Sequence, residues 1–246
     1  MKKLLILIMM VTTILCTVAC ANTNKTIRVG ASSTPHALIL EQAKDYVKEH
    51  GYELEIVVFD DYVLPNLALE NGELDANYFQ HTPYLNEFNN SNGTHLVATL
   101  KVHFEPMGVY KGTKQSLEDY QKGDTIIVPS DKSNYDRAVE LLKVNGIEDA
   151  NLVLVEAQNI PLMLQDCAYA VINGNYALSS GVVGSCLVTE SKASNIANLM
   201  ANIVAVKEGH QNNEKIKVLI DALNQENIKK YIEDTFGASV LYVGGE

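Results

Sequence analysis

The chain is short of cysteine, short of positive charge and almost without long hydrophobic runs. Each shortage removes a class of protein. Four cysteines in 246 residues show no metal-like spacing. The 19 Lys and Arg face 30 Asp and Glu, for a formal charge of −11, which leaves no electrostatic footprint for nucleic acid. The one apolar run of note, residues 4–15, is too short to span a bilayer comfortably. There is no Gly-x-Ser-x-Gly nucleophile elbow and no phosphate loop. Internal repeats, heptads and low-complexity tracts are absent as well; the Asn-rich patch at 89–93 reads as a loop.

What is present begins with an address. Met1-Lys2-Lys3 is a positive n-region, and the apolar run leads to Thr17-Val18-Ala19-Cys20. This reads as a bacterial lipoprotein signal, residues 1–19, cleaved before Cys20. The Cys20 thiol would carry diacylglycerol and its amine an acyl chain, with 20–25 as the tether. Thr17 stands where Leu is usual. An ordinary secreted protein or an uncleaved anchor ranks lower, since several acyl chains hold a soluble domain firmly on a membrane. The expected location is the extracytoplasmic face of the cell membrane. Cleavage leaves 227 residues, removes Lys2 and Lys3, and moves the charge to −13. That length suits two small lobes or one large domain. Cys16 leaves with the signal, so only Cys167 and Cys186 remain in the fold. A disulfide between them is open; two separate small core residues is the better reading.

Along the mature chain, short apolar strands alternate with amphipathic helices. Strands are expected at 27–30, 54–59, 74–79, 96–102, 107–110, 125–128, 152–155, 168–172 and 203–206. Helices are expected from Pro35, at 64–71, from Pro83 into the Asn-rich run, and at 135–144, 160–165, 213–223 and 226–236. The alternation predicts an α/β protein of parallel sheets covered by helices on both faces.

Three polar-aromatic clusters sit where such strands should end: Asn77-Tyr78-Phe79-Gln80-His81, then Ser130 to Arg137, then Asn173-Gly174-Asn175-Tyr176. In open α/β sheets, ligands bind at the carboxyl ends of strands. The first cluster offers aromatic faces and an imidazole, the second a guanidinium, the third an amide. Together they suit a small zwitterion with a soft apolar tail. Strand alternation puts Tyr78 and Phe79 on opposite faces, one in core and one toward a cleft. Each residue also has a blander role available. His81 could simply cap a helix, Arg137 could lie on a solvated helix face, and Asn173-Gly174-Asn175 could form a tight turn. His81 and His103 alone are weak evidence for a metal site.

These residues, with their neighbours, carry a family resemblance. Val29-Gly30-Ala31 with Pro35-His36-Ala37, residues 59–69, residues 72–85, Lys101 to Tyr110, 131–141 and 170–177 resemble the methionine-binding (NlpA-type) lipoproteins. Those are the substrate-binding components of methionine-uptake ABC transporters. The resemblance implies a type II periplasmic-binding-protein fold: two α/β lobes, two crossover segments and a central ligand cleft. Lobe 1 would take 26–111 plus 200–246, and lobe 2 would take 112–199. It also implies that Tyr62, Phe79 and His81 surround a thioether, that Arg137 holds an α-carboxylate, and that Asn134 and Asn173 make polar contacts. His103 would border the pocket. Methionine is the implied ligand, as the L-form, the D-form or a dipeptide. The implied partners are an ABC permease and its ATPase, with no cofactor and a monomeric chain. The segment between 146 and 152 is shorter than usual, and 182–186 and 195–202 depart from the family pattern.

Two rivals come from other classes. One is an enzyme with His81 or His103 as base and Cys167 as nucleophile. The other is an adhesin or signalling lipoprotein that keeps the fold without transport. For capture by lobe closure, the expected hinges lie near Lys111 and Leu199.

Overall fold

The computed structural model describes residues 25–244. The expected signal and Cys20 lie outside the described residues. Among those described, no helix is long and apolar enough to cross a membrane.

Two mixed sheets share one plan. The first runs β2 (Glu53–Val58), β1 (Thr26–Ala31), β3 (Ala76–His81), β10 (Asn202–Lys207), β4 (Leu96–Phe104), β11 (Leu241–Tyr242). The second runs β7 (Asn151–Val155), β6 (Thr125–Pro129), β8 (Tyr169–Ile172), β5 (Gly108–Lys111), β9 (Cys186–Thr189). In each, three strands are parallel and a fourth lies antiparallel between its neighbours. That strand is β10 between β3 and β4, and β5 between β8 and β9. The parallel expectation is therefore corrected. β5 and β10 each arrive from the other lobe and run back against the strands they join. The shared plan is not visible as a sequence repeat.

The chain leaves the first sheet after β4 and returns at β10, giving the two crossovers, 105–107 and 190–201. Residues 108–111, expected in the first lobe, pair in the second sheet, with Val109 opposite Val171. The first crossover therefore falls at Glu105-Pro106-Met107, upstream of Lys111. Leu199 does lie in the second.

The central strands β5, β6, β8 and β10 are buried on both faces, which is why they read as apolar runs rather than alternating ones, while the edge strands β2 and β7 are partly exposed. Val109, Ile126, Val128, Tyr169 and Val171 pack into one core. Their strand neighbours Tyr110, Ile127, Ala170 and Ile172 pack into another on the reverse side. In the first lobe Tyr78 joins a core with Ile27, Val29 and Val204, while Phe79 turns to Tyr84 and Phe88, as alternation requires.

The helices are α1 (Leu38–Glu41), α2 (Lys44–Glu49), α3 (Leu64–Glu70), α4 (Thr82–Asn92), α5 (Lys132–Val144), α6 (Gly174–Ser179), α7 (Ser194–Leu199), α8 (Glu214–Leu223) and α9 (Glu226–Phe236). α8 buries Ile216, Leu219, Ala222 and Leu223 on one face, the spacing a helical stripe demands. The Asn-rich run expected as a loop is the last turn of α4, stopped by Gly93 at φ 66°. A left-handed residue there favours glycine. The segment 160–165 is 3₁₀ rather than α, in keeping with Pro161. The sequence reading did not anticipate α6, α7, β9 or β11; these are elements of six residues or fewer.

Candidate functional site

The carboxyl ends of β3, β6 and β8 face one another across the gap between the lobes, and the three sequence clusters meet there. The space not filled by atoms in and around the cavity, open solvent at its mouth included, is about 330 Å³. Tyr62, Phe79, His81, Asn134, Arg137 and Asn173 all line it, joined by Gln80, Tyr84, Glu105, Asn175 and Asn202. His103 does not line it: it lies wholly buried one layer behind. It sits on β4, whose side chain here packs toward Tyr78 and Glu105.

One wall is aromatic. The Tyr62 ring centroid is 5.8 Å from Phe79, 5.7 Å from Tyr84 and 4.9 Å from Tyr176. The Tyr62 hydroxyl donates to Asn175 Oδ1 at 2.6 Å, and the Tyr84 hydroxyl donates to the Tyr62 carbonyl at 3.0 Å. Such ring edges suit an apolar or thioether chain.

The polar wall is a relay with fixed directions. His81 is indeed a cap: its Nδ1 accepts the Tyr84 main-chain N–H at 3.1 Å. That leaves Nε2 to donate to Asn134 Oδ1 at 3.2 Å. Burial, with Arg137 adding to it, pushes the His81 pKa down to about 3, so the ring is neutral. Asn134 is oriented by Asp131, which caps α5 and accepts from Asn134 Nδ2 at 3.0 Å. Asn173 Nδ2 then donates to Asn134 Oδ1 at 2.9 Å. Asn173 occupies the N-cap position of α6 but does not cap it. Its Oδ1 is a buried atom with no hydrogen-bond partner, one of two such side-chain atoms among the described residues.

Arg137 stands one turn beyond Asn134 on α5, with its guanidinium over the Phe104 ring at 5.8 Å. The two-bond clamp expected for a ligand carboxylate is already engaged. Nε and Nη2 pair with Glu190 at 2.6 and 2.8 Å, and Nη2 also donates to the Glu105 carbonyl at 2.8 Å. The reason is the second crossover, which brings Glu190 back beside α5. Nη1 is left without a protein partner among the described residues.

Behind the cavity, His103 Nε2 lies 2.6 Å and His36 Nε2 3.3 Å from Glu105 Oε1. Burial holds the pKa of His103 near 3 and of His36 near 4, and lifts Glu105 to about 7. These three are the described group whose donor atoms, within 4.8 Å of one another, come nearest to a cation site. Tetrahedral zinc would need ligand atoms roughly 3.3 Å apart. The 2.6 Å contact and the bonds on every ring nitrogen mark a hydrogen-bond network instead.

The enzyme rival loses its nucleophile. Cys167 is buried, its thiol faces the Met163 carbonyl at 3.6 Å, and burial raises its pKa. Cys167 and Cys186 are both free thiols.

Of the lining residues that sequence reasoning missed, Tyr84 lies one turn after His81 and Asn175 two after Asn173, so proximity could have found them. Glu105 stood inside the matched segment 101–110. Asn202 carried no local signal at all.

A two-lobed α/β architecture with a polar and aromatic cleft between the lobes defines the class: a type II substrate-binding protein. The chain belongs to the NlpA lipoprotein family, whose pattern matches residues 27–151 and 147–243. It is 34% identical to a methionine-binding lipoprotein of Bacillus subtilis, over 92% of this chain and 93% of the relative. A lipoprotein structure from Ruminococcus gnavus superposes with a TM-score of 0.86 at 46% identity, covering 89% of this chain and 99% of that one. A nutrient-binding protein of Burkholderia cenocepacia, solved with methionine bound, superposes at 0.82 with 30% identity, covering 88% and 99%.

Proposed function

We propose that this chain captures methionine outside the cytoplasm, held to the membrane by lipid on Cys20, and delivers it to the permease and ATPase of an ABC importer. The observation that carries this reading is the unpartnered Oδ1 of Asn173, a buried acceptor fixed by its neighbour and aimed at a cavity with an aromatic wall. A buried acceptor left unmade is costly, so a ligand donor is its natural partner. The relatives' methionine binding supports the choice of ligand.

In this reading Tyr62, Phe79 and His81 enclose the thioether. Arg137 Nη1 and its neighbours meet the carboxylate, and Asn173 takes the ammonium. Capture is a hinge closure about 105–107 and 190–201. Contacts that span the lobes hold the closed form: Tyr62 to Asn175, His81 to Asn134, and the Tyr176 hydroxyl to the Asp60 carbonyl at 3.1 Å. In this reading the protein works as a monomer and releases its ligand chemically unchanged.

Mass spectrometry of the small molecule released on denaturing the purified protein tests this directly. Methionine is the expected cargo. Calorimetry on stripped protein with L-methionine, D-methionine and glycyl-methionine then ranks the forms. Recovery of an unrelated molecule, with no heat from any of the three, would reject the reading.

A further inference from the structure

We propose that the groove beside the second crossover is a docking site, complete in the closed form, for an amphipathic helix with basic flanks supplied by a protein partner. The groove lies outside the ligand cavity, and the inference does not depend on which ligand that cavity takes.

Three helices face the groove, each with one stripe along its length. α4 presents positions 83, 87 and 90, and α5 presents 133, 137, 140 and 144. α7 presents Ile196, Leu199 and Met200, at the i, i+3, i+4 spacing of an apolar stripe. α7 buries Ala197 against the protein but leaves Leu199 58% exposed, and Val144 at the end of α5 is 68% exposed. Such side chains scattered singly would mean little. Gathered in one concavity with a polar rim, they mark an interaction site. The stripe on α7 falls within residues 195–202, which depart from the family pattern, so this wall is the chain's own.

The shape suits a helix. The space not filled by atoms in and around the groove, open solvent included, is about 1670 Å³. A helix about 10 Å across that rises 1.5 Å per residue fills about 120 Å³ per residue, so about three to four turns match it. An extended strand would find no partner here, because the long walls are helices whose backbone groups are already paired along their own axes.

The rim sets the sign of the partner. Lys132 pairs with Asp136 and Arg137 with Glu190, so those charges cancel. Glu87 and Glu140 also line the groove and have no ion-pair partner among the described residues. Two unmatched carboxylates beside an apolar floor, in a chain of formal charge −11, suit lysine or arginine flanks and repel an anionic lipid surface.

The groove also spans the lobes. α4 belongs to the first lobe and α5 to the second, and Glu190, Ser191 and α7 of the second crossover lie between them. The hinge therefore sets its width. A seated helix distinguishes closed lobes from open ones, and linkage makes the effect mutual: whatever closes the lobes tightens the helix.

Fluorescence anisotropy on the purified protein tests this with a labelled leucine–lysine amphipathic peptide of about 14 residues. The wild type should bind it. Val144→Asp combined with Leu199→Asp should weaken binding at least about tenfold, since both carboxylates would be buried under the peptide's apolar face. Both positions are exposed, so the melting temperature should hold. The variant is also more acidic, so attraction by charge alone would tighten the peptide rather than weaken it. Glu140→Lys should weaken it by about two- to fivefold, and a peptide with glutamate in place of lysine should not bind. L-methionine at saturation should tighten the leucine–lysine peptide. No binding by the wild type, equal binding by the doubly substituted protein, or equal binding of the two peptides overturns the proposal. So does a wild-type dimer in sedimentation that the double substitution abolishes, because the groove would then hold a second copy. Unchanged or weaker peptide binding in a protein that does take methionine overturns the docking of the closed form. A protein that holds the peptide in the groove and gives no heat with methionine loses the methionine reading and keeps this one.

Discussion

Asn173 gives its amide nitrogen to Asn134, on the same lobe, at 2.9 Å, and by doing so turns its carbonyl oxygen to where no protein group meets it. The two residues stand on different elements, one at the start of α6 and one in the first turn of α5, and each is fixed by a separate constraint.

Asn173→Ala should separate binding from stability. The variant deletes an acceptor that is unsatisfied without ligand, while Asn134 Oδ1 keeps its bond from His81. Removing the unpaired oxygen is stabilising, and it offsets the lost Nδ2 bond to Asn134, worth about 1 kcal/mol, so the ligand-free melting temperature should change little. Methionine binding should weaken by about 2–4 kcal/mol, since its ammonium loses a buried partner. Calorimetry beside thermal melts reads both; a fall in melting temperature with intact affinity would reverse the assignment.

Arg137→Ala should do the opposite and cost stability as well as binding. It strands Glu190, whose side chain is 9% exposed, and breaking such a buried pair costs about 3–5 kcal/mol. Adding Glu190→Ala should restore much of the melting temperature and none of the methionine affinity. Recovery of both would make the guanidinium a structural group alone.

Phe79→Ala should weaken methionine binding more than it weakens binding of alanine, because only the longer ligand reaches the ring. A stability loss of about 3–5 kcal/mol is also expected, as Phe79 is buried against Tyr84 and Phe88. Competition binding with a series of aliphatic amino acids measures the first effect. Equal losses across the series would remove Phe79 from the side-chain pocket.

The strand ends were legible because apolar runs there stop abruptly at polar residues, and the fold places ligands at such ends. His81 showed as both cap and pocket residue, since the cap uses Nδ1 and leaves Nε2 for the cleft. What was not legible depends on long-range return of the chain. The Arg137–Glu190 pair spans 53 residues and the His36–Asn202 bond 166, and no local spacing encodes either. The burial of His103 was missed for the same reason: its neighbour His36 comes from the helical turn after β1, and only the folded sheet brings the two ring centroids to 4.9 Å.

Glu87→Ala should favour the open form. Glu87 lies on α4 of the first lobe, and its carboxylate accepts the Ser133 main-chain N–H at 2.8 Å, in the first turn of α5 in the second. This places a negative charge at a helix N-terminus, worth about 0.3–1 kcal/mol where exposed. Losing it should lower methionine affinity by roughly two- to fivefold through the population of the closed state. Small-angle scattering without ligand should show a larger radius of gyration, with the methionine-bound value unchanged. Identical ligand-free scattering would dismiss Glu87 as a clasp.

Acid should unfold this protein early. His36, His81 and His103 are held neutral by burial, with pKa values near 4, 3 and 3 against an ordinary 6.5. A lowered histidine pKa means the unfolded chain takes up protons first, so this stability is present above pH 6.5 and lost as pH falls below it. Glu105 works against that trend. Its value is raised to about 7 from 4.5, so the folded form holds its proton longer, and the stability this confers is present below pH 4.5 and lost as pH rises toward 7. Between 4.5 and 6.5 the unfolded chain therefore binds up to three protons at the histidines against one retained by the folded chain at Glu105. The net of about two protons corresponds to a slope of about 2–3 kcal/mol per pH unit at most. Thermal melts of ligand-free protein should hold steady from pH 8 to 7 and drop steeply between pH 6.5 and 5. A melting temperature that stayed level across that interval would mean the three rings are not held neutral, and that the relay from Tyr84 through His81 to Asn134 does not have the direction that leaves the Asn173 oxygen free.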